Sequence, residues 1–163
     1  SEMCIRDSGT SLAAQAHQTG LIVLRSLGKF FGLAGLRAGL MVAEPALCSA
    51  MQAALGPWAM SHPARYVMAQ ALQDRAWQQQ QRQRLREDRK RLDGVLSAAG
   101  LSPQGDSDLF AWCPDDQAQG RFEALARQGV LVRYFTEPAA LRFGLAGSEV
   151  QWDRLRSALS VSA

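Results

Sequence analysis

Residues 25–39 read RSLGKFFGLAGLRAG, a stretch that places one lysine and two arginines among glycines and large apolar side chains. The run Leu21–Ser26 leads into it and the run Ala38–Glu44 leads out of it, and both are short, apolar and typical of buried strands. We therefore predict a strand, a glycine-punctuated loop and a second strand. Three cationic side chains in so apolar a segment suggest that it binds an anion, so we first compare it with known phosphate-binding loops.

Neither of the two common nucleotide-binding loops fits this stretch. A Walker loop needs glycine, four residues, then Gly-Lys-Ser/Thr, but Phe30 follows Lys29 and the preceding glycine is Gly20. A dinucleotide fingerprint needs the spacing GxGxxG at the start of a helix, whereas the glycines here stand at positions 28, 32, 35 and 39. The loop therefore belongs to another class.

The pattern that does fit is S-x-x-K-x-x-G-x-x-G-x-R-x-G, with Ser26, Lys29 and Arg37 at its polar positions. It resembles the lysine motif of class I/II aminotransferases, enzymes of fold type I that use pyridoxal phosphate. The resemblance implies that Lys29 attaches covalently to the cofactor aldehyde, and that Ser26 and Arg37 hold the cofactor phosphate through charge-assisted hydrogen bonds. An amine attacks an aldehyde only when neutral, so we expect Phe30, Phe31 and Leu33 to provide apolar surroundings.

From Gly20 to Leu159 the chain resembles the threonine-phosphate decarboxylase family of the cobalamin pathway. The GPW turn at Gly56–Trp58 and the short link from Arg133 to Leu141 carry this narrower resemblance. It implies decarboxylation of O-phospho-L-threonine to 1-aminopropan-2-yl phosphate, with Arg142 binding the substrate carboxylate and Arg133 the substrate phosphate. A planar guanidinium suits a carboxylate because it donates two parallel hydrogen bonds.

Two alternatives stay open at this point. The first is another enzyme of the same fold, such as a histidinol-phosphate aminotransferase. The second is a non-catalytic binding domain, in which the lysine motif survives as a core loop and the helix rich in Arg and Gln near residues 77–96 binds a partner. Interleaved acids in that helix favour a solvated face, so we expect no nucleic-acid partner.

Composition and charge argue against nucleic-acid binding, membrane insertion and metal binding. The chain has 163 residues and a net charge of +3, too small an excess to indicate nucleic-acid binding. Arg25, Lys29 and Arg37 would each cost roughly 2.5–3.5 kcal/mol near a bilayer centre, so the apolar segment 20–44 is not expected to enter a membrane. The three cysteines, Cys4, Cys48 and Cys113, show no metal-ligand spacing; we expect free thiols in a reducing cytoplasm and no metal.

The fold class we expect is α/β, the carboxyl-terminal half of an aspartate aminotransferase-like enzyme. We expect residues 1–19 to be a remnant of the preceding sequence, and its first eight residues resemble translated adapter sequence. We expect three segments after it: the end of the large cofactor-binding domain at 20–60, linking helices at 61–100 and a small α+β domain at 101–163. The resemblance also implies a homodimer, and a missing amino-terminal half that carries the acidic partner of the pyridine nitrogen. We therefore expect the fragment to be inactive alone.

Patterning within these segments predicts the individual elements. A helix is expected over PALCSAMQAAL (45–55), and a long helical region over 61–99 with a break and a cap at Asp74. Strands are expected at 108–114, 130–135 and 141–146, and helices at 118–129 and 148–159, the last capped by Ser148. Trp77, Trp112 and Trp152 are expected in the core or in an interface, and Trp58 either in the core or near the site.

Overall fold

A computed structural model describes residues 11–161, so that the residues expected to be artefactual, and Cys4, lie outside the described part. The chain divides into two compact units, with the boundary between residues 79 and 80, inside a long helix. The predicted four-part domain division stays a prediction. Among the described residues, no helix is long and apolar enough to cross a membrane.

The first unit contains a β-hairpin and helices. Its elements are β1 (Val23–Ser26), β2 (Gly39–Val42), α1 (Pro45–Leu55), α2 (His62–Gln73) and the start of α3 (Arg75–Ala98). The two strands pair antiparallel, with Val23 opposite Val42 and Ser26 opposite Gly39. The sequence predicted strands buried on both faces, and this prediction was wrong: Val23 is buried, but Leu24 is 54% exposed. A two-stranded hairpin packs through one face only, and its side chains alternate between the two faces.

The predicted helices and the break at Asp74 are confirmed. The helix α1 spans the predicted residues, with Pro45 in its first turn, where a missing N–H costs nothing. Ser61 caps α2 by accepting a hydrogen bond from the Ala64 amide at 3.3 Å. Asp74 ends α2 and caps α3, since its Oδ1 accepts from the Trp77 amide at 2.9 Å.

The second unit is an antiparallel sheet packed against helices. Its elements are the rest of α3, then β3 (Phe110–Pro114), α4 (Ala118–Arg127), β4 (Arg133–Thr136), β5 (Ala139–Gly144) and α5 (Glu149–Val161). The sheet order is β3-β5-β4, so that β5 is central. Glu137 and Pro138 form the short turn between β4 and β5, and their peptide bond is cis. As predicted, Ser148 caps α5 by accepting from the Gln151 amide.

The two faces of this sheet differ in chemistry. One face joins the hydrophobic core, to which Ala111, Cys113, Leu141 and Phe143 contribute together with Trp152 from α5. The residues between them along each strand point to the opposite face because side chains alternate across a strand. That opposite face carries aromatic and arginine side chains, namely Phe110, Trp112, Arg133, Phe135 and Arg142.

Two sequence expectations are corrected or narrowed by burial. Trp58 is 78% exposed, which removes the core alternative and leaves its place near the site a prediction. Arg89 and Gln78, in the helix expected to present a solvated face, are only 7% and 5% exposed. The reason is local: the Gln78 amide donates to the Ala71 and Leu72 carbonyls at the end of α2, and Arg89 donates to several carbonyls of a loop. Trp152, by contrast, lies in the core as expected.

Candidate functional site

The loop between β1 and β2 brings the polar residues of the lysine motif to one end of the hairpin. Ser26 is the last residue of β1 and lies opposite Gly39, two residues after Arg37. The loop closes on itself, since the Leu33 amide donates to the Leu27 carbonyl at 2.9 Å. The register of the hairpin therefore sets Ser26 and Arg37 near the same end, with Lys29 in the loop between them.

Ser26 is held by a turn that requires glycine beside it. Its Oγ accepts a hydrogen bond from the Gly28 amide at 3.0 Å, which leaves the hydroxyl proton available for an anion. A Cβ on Gly28 would lie 3.3 Å from that same Oγ and 3.2 Å from the Ala34 Cα. Glycine at position 28 therefore keeps the serine hydroxyl uncrowded.

Lys29 is exposed but lies between buried neighbours. Leu27 is 1% exposed and Phe30 is 5% exposed, so the backbone on both sides of the lysine is fixed. The Phe30 ring lies edge-on to Phe31 at 5.0 Å, and the Phe31 ring stacks on Trp77 at 5.8 Å. Both phenylalanines pack with Trp77 of α3, which offers a ring of matching size; that they provide apolar surroundings for the lysine amine stays a prediction.

Arg37 has a left-handed backbone. Its φ is 51° and its ψ is 37°, and it is the only non-glycine residue with positive φ in the described part of the chain. Such a conformation in an arginine is held by the surrounding structure rather than by local preference. No ion pair between described residues includes Arg37 or Lys29, so both cations are available to an anion.

Arg133 and Arg142 form a second cationic cluster, in the other unit. They are opposite each other in the pairing of β4 and β5, on the sheet face that lacks the core. No carboxylate among residues 11–161 forms an ion pair with either of them. Like charges placed directly opposite destabilise a strand pair, so an anion bound between them removes a repulsion.

Two aromatic rings, Phe110 and Phe135, lie against this pair of arginines, and Trp112 packs against Phe135; sequence reasoning missed their role. The Arg142 Cζ lies 5.1 Å from the centroid of the Phe110 ring and 5.9 Å from that of Phe135. The Arg133 Cζ lies 5.7 Å from the same Phe135 ring, which contacts Trp112 at 4.7 Å. Strand alternation could have shown this, since Phe110, Trp112 and Arg142 share one face once the strands are paired.

The structure thus brings the predicted residues together in two groups. Ser26, Lys29 and Arg37 lie at the loop end of the β1–β2 hairpin in the first unit, here called the loop site, and Arg133 and Arg142 lie on one sheet face in the second, here called the face site. An exposed amine with a serine and an arginine nearby can bind a phosphate and react with a carbonyl. Two guanidinium groups over aromatic rings, with no carboxylate paired to them within residues 11–161, can bind a molecule with two anionic groups.

A family model agrees with these features. The model for "Aminotransferase class I and II" matches residues 3–159, nearly the whole chain, and the chain belongs to this family. The predicted fold class is thereby confirmed, since solved aminotransferase structures share the fold of this chain.

Individual relatives are more specific. The chain is 47% identical over 150 residues to a threonine-phosphate decarboxylase of Pseudomonas aeruginosa, a match that covers 92% of this chain and 45% of the relative. It is 37% identical to a threonine-phosphate decarboxylase of Sinorhizobium, covering 94% of this chain and 47% of the relative. The chain thus spans about half the length of the curated relatives it matches.

Among solved structures, a histidinol-phosphate aminotransferase from Sinorhizobium meliloti in complex with pyridoxal-5'-phosphate superposes with a TM-score of 0.78. The two chains are 22% identical, and the match covers 86% of this chain and 40% of that one. At this identity the likeness supports the fold alone.

Proposed function

We propose that this chain is the carboxyl-terminal half of a cytoplasmic, pyridoxal phosphate-dependent enzyme that decarboxylates O-phospho-L-threonine to 1-aminopropan-2-yl phosphate in cobalamin biosynthesis. The observation that carries the proposal is the pair Arg133 and Arg142, two guanidinium groups on one sheet face that form no ion pair with a carboxylate in the described part of the chain. The substrate carries one carboxylate and one phosphate, which matches two such groups. The two threonine-phosphate decarboxylase relatives support the same substrate.

The residues of the loop site fit pyridoxal phosphate. The Ser26 oxygen accepts from the Gly28 amide, and no carboxylate among residues 11–161 pairs with Arg37, so that both side chains can donate to the cofactor phosphate. A Cβ on Gly39 would lie 3.1 Å from the Arg25 carbonyl oxygen, and the absence of that carbon keeps the loop tightly closed. Lys29 presents an exposed amine for covalent attachment to the cofactor aldehyde.

When bound, pyridoxal phosphate supplies an electron sink for the pair left at the substrate α-carbon. The residues of this chain then have three tasks. Arg142 binds the carboxylate that leaves as CO2 and sets its orientation, and Arg133 binds the substrate phosphate. Lys29 would hold the cofactor and, with its amine freed, would give a proton from Nζ to the α-carbon in place of the departed CO2.

The proposal includes a homodimer of a longer polypeptide. Several large apolar side chains of the first unit are exposed, among them Leu24, Leu55, Trp58 and Tyr66. Exposed apolar area of this kind favours burial against further protein. We therefore expect the 163 residues alone to bind pyridoxal phosphate weakly and to show little or no CO2 release; robust turnover by the isolated chain would contradict this part of the proposal.

The test uses a complete polypeptide in which residues 20–159 replace the matching segment of the Pseudomonas aeruginosa relative. We expect CO2 release from O-phospho-L-threonine, and, after borohydride reduction, a phosphopyridoxyl group mapped by mass spectrometry to Lys29. The variant Lys29→Ala is the control and should lose both signals. A chimera that folds but carries no adduct on Lys29 would support the binding-domain alternative instead.

Histidinol-phosphate aminotransferase is the second candidate, because a relative of this type from Shewanella amazonensis is 32% identical to the chain. Its substrate carries a phosphate but no α-carboxylate. The same chimera should be offered histidinol phosphate with 2-oxoglutarate. Faster formation of glutamate than of CO2 from O-phospho-L-threonine would favour this candidate over the first.

A further inference from the structure

Arg89 is a buried arginine whose hydrogen bonds converge on one loop. It lies in α3 with 7% of its surface exposed, and Asp93, one turn along the same helix, accepts from its Nε at 2.9 Å. Its Nη1 donates to the carbonyls of Ser107 and Phe110, and its Nη2 donates to those of Gln104 and Gly105. A guanidinium buried in this way costs desolvation, which its hydrogen bonds have to offset.

The loop bound by Arg89 leads directly into β3. It spans residues 104–109, with one isolated bridge in which Gln104 pairs with Trp112. The Gln104 amide donates to the Trp112 carbonyl at 2.6 Å. Arg89 thus fixes the backbone at the first residue of β3 through the Phe110 carbonyl, at 2.8 Å.

Phe110 connects this buried contact to the arginine face. Its ring is the nearer of the two that flank Arg142, with 5.1 Å between the ring centroid and Cζ. The second ring, Phe135, is 5.9 Å from the same carbon. A guanidinium over aromatic rings is restricted in orientation as well as attracted, because the attraction depends on its position over the ring face.

We propose that Arg89 is a positioning residue for Arg142, and that it acts through the backbone and ring of Phe110. The inference rests on the proposed function of Arg142 in binding a substrate carboxylate. Arg89 does not itself contact the substrate; it sets the place of the ring against which Arg142 lies. Loss of the planar fork at position 89 frees the loop carbonyls, lets the Phe110 ring shift and so disorders the Arg142 guanidinium.

The experiment follows the Arg142 Nε–Hε signal by nuclear magnetic resonance in the 15N-labelled chain, with Arg142→Lys used for assignment. We expect Arg89→Lys to shift or broaden this signal, because Lys cannot donate to several carbonyls at once. The matched control is Arg91→Lys, which changes a structural arginine two positions along the same helix and should leave the Arg142 signal in place. Equal effects of both variants, or none, would overturn the proposal.

A second pair of variants decides the matter even where Arg89→Lys fails to fold. Phe110→Leu removes the ring and keeps the carbonyl contacts of Arg89, whereas Phe110→Tyr keeps the ring. We expect the Arg142 signal to move in the first and to stay in the second; the opposite result would refute the role of the ring.

Titration of the folded variants with O-phospho-L-threonine separates positioning from function. We expect Arg89→Lys to weaken binding roughly three- to tenfold, the size typical of residues coupled through a shift of the backbone between them. An Arg142 signal that moves in the variants but never responds to the amino acid would count against the proposed function while supporting the positioning role.

Discussion

At the scale of the residue, Arg37 combines an unfavourable backbone with a proposed binding role. A left-handed conformation costs an L-residue with a Cβ roughly 1–2 kcal/mol, and glycine avoids that cost. The lysine motif has glycines at 32, 35 and 39, yet the left-handed residue nearest the second strand is the arginine. The chain thus retains a strained arginine at a position where a cation can reach a phosphate.

We predict that Arg37→Gly separates stability from binding. Relief of the left-handed strain outweighs the added flexibility of the unfolded chain, so the free energy of unfolding should rise by up to about 1 kcal/mol. Urea denaturation measures this change. The control Arg37→Lys keeps the Cβ and should gain no stability. In the chimera, we expect Arg37→Gly to bind pyridoxal phosphate less tightly than wild type; a destabilised Arg37→Gly would contradict the strain argument.

Cys113 provides a test at alkaline pH. The thiol is fully buried, and burial raises its pKa to about 11 from an ordinary value near 9.0. The folded chain then keeps a proton that the unfolded chain loses, so this contribution is complete below pH 9 and is lost as the pH rises from about 9 to about 11. Two units of pKa correspond to roughly 3 kcal/mol.

The measurement for Cys113 compares the free energy of unfolding across that range in wild type and in Cys113→Ala. We expect the variant to be less stable at pH 7, because a small cavity remains, but to lose less stability between pH 9 and 11. Cys48→Ala should follow the wild-type curve. A parallel course of the wild-type and Cys113→Ala curves would show that the thiol does not cause the effect.

The sequence revealed some residues of the site and concealed others. Ser26, Lys29 and Arg37 could be found because their spacing is fixed by one loop of known chemistry. Phe110 and Arg89 could not, since their roles depend on contacts between segments far apart in the chain. An arginine in a helix with many charges looks solvated until the loop that covers it is known.

At the scale of the element, the loop that carries Lys29 is held on α3 by aromatic rings. Phe30 lies 5.7 Å from Trp77 and Phe31 stacks on the same indole at 5.8 Å. Aromatic pairs contribute about 0.5–1.5 kcal/mol each beyond their buried area. The position of the lysine backbone therefore depends on a residue more than forty positions away.

We predict that Trp77→Leu destabilises the first unit by about 2 kcal/mol, the sum of two lost ring contacts at the middle of that range. The matched control is Trp58→Leu, since Trp58 is 78% exposed and should change the free energy of unfolding by less than about 0.5 kcal/mol. Denaturant unfolding monitored by circular dichroism gives both values. Equal losses for the two tryptophans would contradict the anchoring role of Trp77.

An ion pair joins α3 to α5 in the second unit. Both terminal nitrogens of Arg91 donate to the Glu149 carboxylate at 2.6 Å, and the Arg91 Cζ lies 4.6 Å from the Trp152 ring. The hydrogen bond from Arg91 lowers the pKa of Glu149. The pair therefore stabilises the fold at pH values above the ordinary glutamate pKa, and this contribution is lost as the pH falls through the lowered value.

For the variant Glu149→Gln we expect lower stability than wild type at pH 7 and a difference that shrinks on acidification and in high salt, because exposed pairs are screened. Thermal melts at several pH values provide the measurement. Glu123→Gln, which breaks an exposed pair within α4, is the control and should show a smaller change at pH 7. A Glu149→Gln deficit that is constant with pH would rule out the ion pair as its cause.

The elements that the sequence predicted best are those with local signals. The helix at 45–55 and the break at Asp74 follow from Pro45 and from a capping carboxylate, both visible in a few residues. The strand expected at 130–135 begins only at Arg133, and Leu131 is 81% exposed. Apolar residues at 130–132 suggested a strand, but pairing with β5 decides its length, and that pairing is not local.

At the scale of the whole molecule, the two units have cores of unequal size. Among the described residues of the second unit (80–161), the buried cluster that includes Leu92, Phe143 and Trp152 has thirteen members. Among those of the first unit (11–79), the buried apolar residues are five: Ala16, Val23, Leu27, Phe30 and Ala64. Because buried apolar contacts determine how often a region opens, the first unit should be the less stable.

Amide hydrogen exchange tests this expectation in the chain as it is. We predict the slowest exchange in β3, β5 and α5, and faster exchange in β1 and β2, the strands next to the loop site. Adding pyridoxal phosphate to the chimera should slow exchange in that hairpin, because ligands stabilise the state they bind. Equal protection of the amides from exchange in both units would contradict the expectation that the first unit is the less stable.

The pairing of Arg133 with Arg142 has a consequence for how the protein tolerates change. A slip of β4 by one position would turn Tyr134 away from the core and bury Arg133. The free-energy cost of burying that charge on the apolar, core-facing side of the sheet therefore also fixes the alignment of the arginines on the other side. The core-facing residues of the sheet can therefore change in shape, provided that apolar and polar residues still alternate along each strand. Substitutions in the core leave the spacing of the two guanidinium groups intact. Deletion of Glu137, in the turn between β4 and β5, would change the register of these strands and so abolish that spacing.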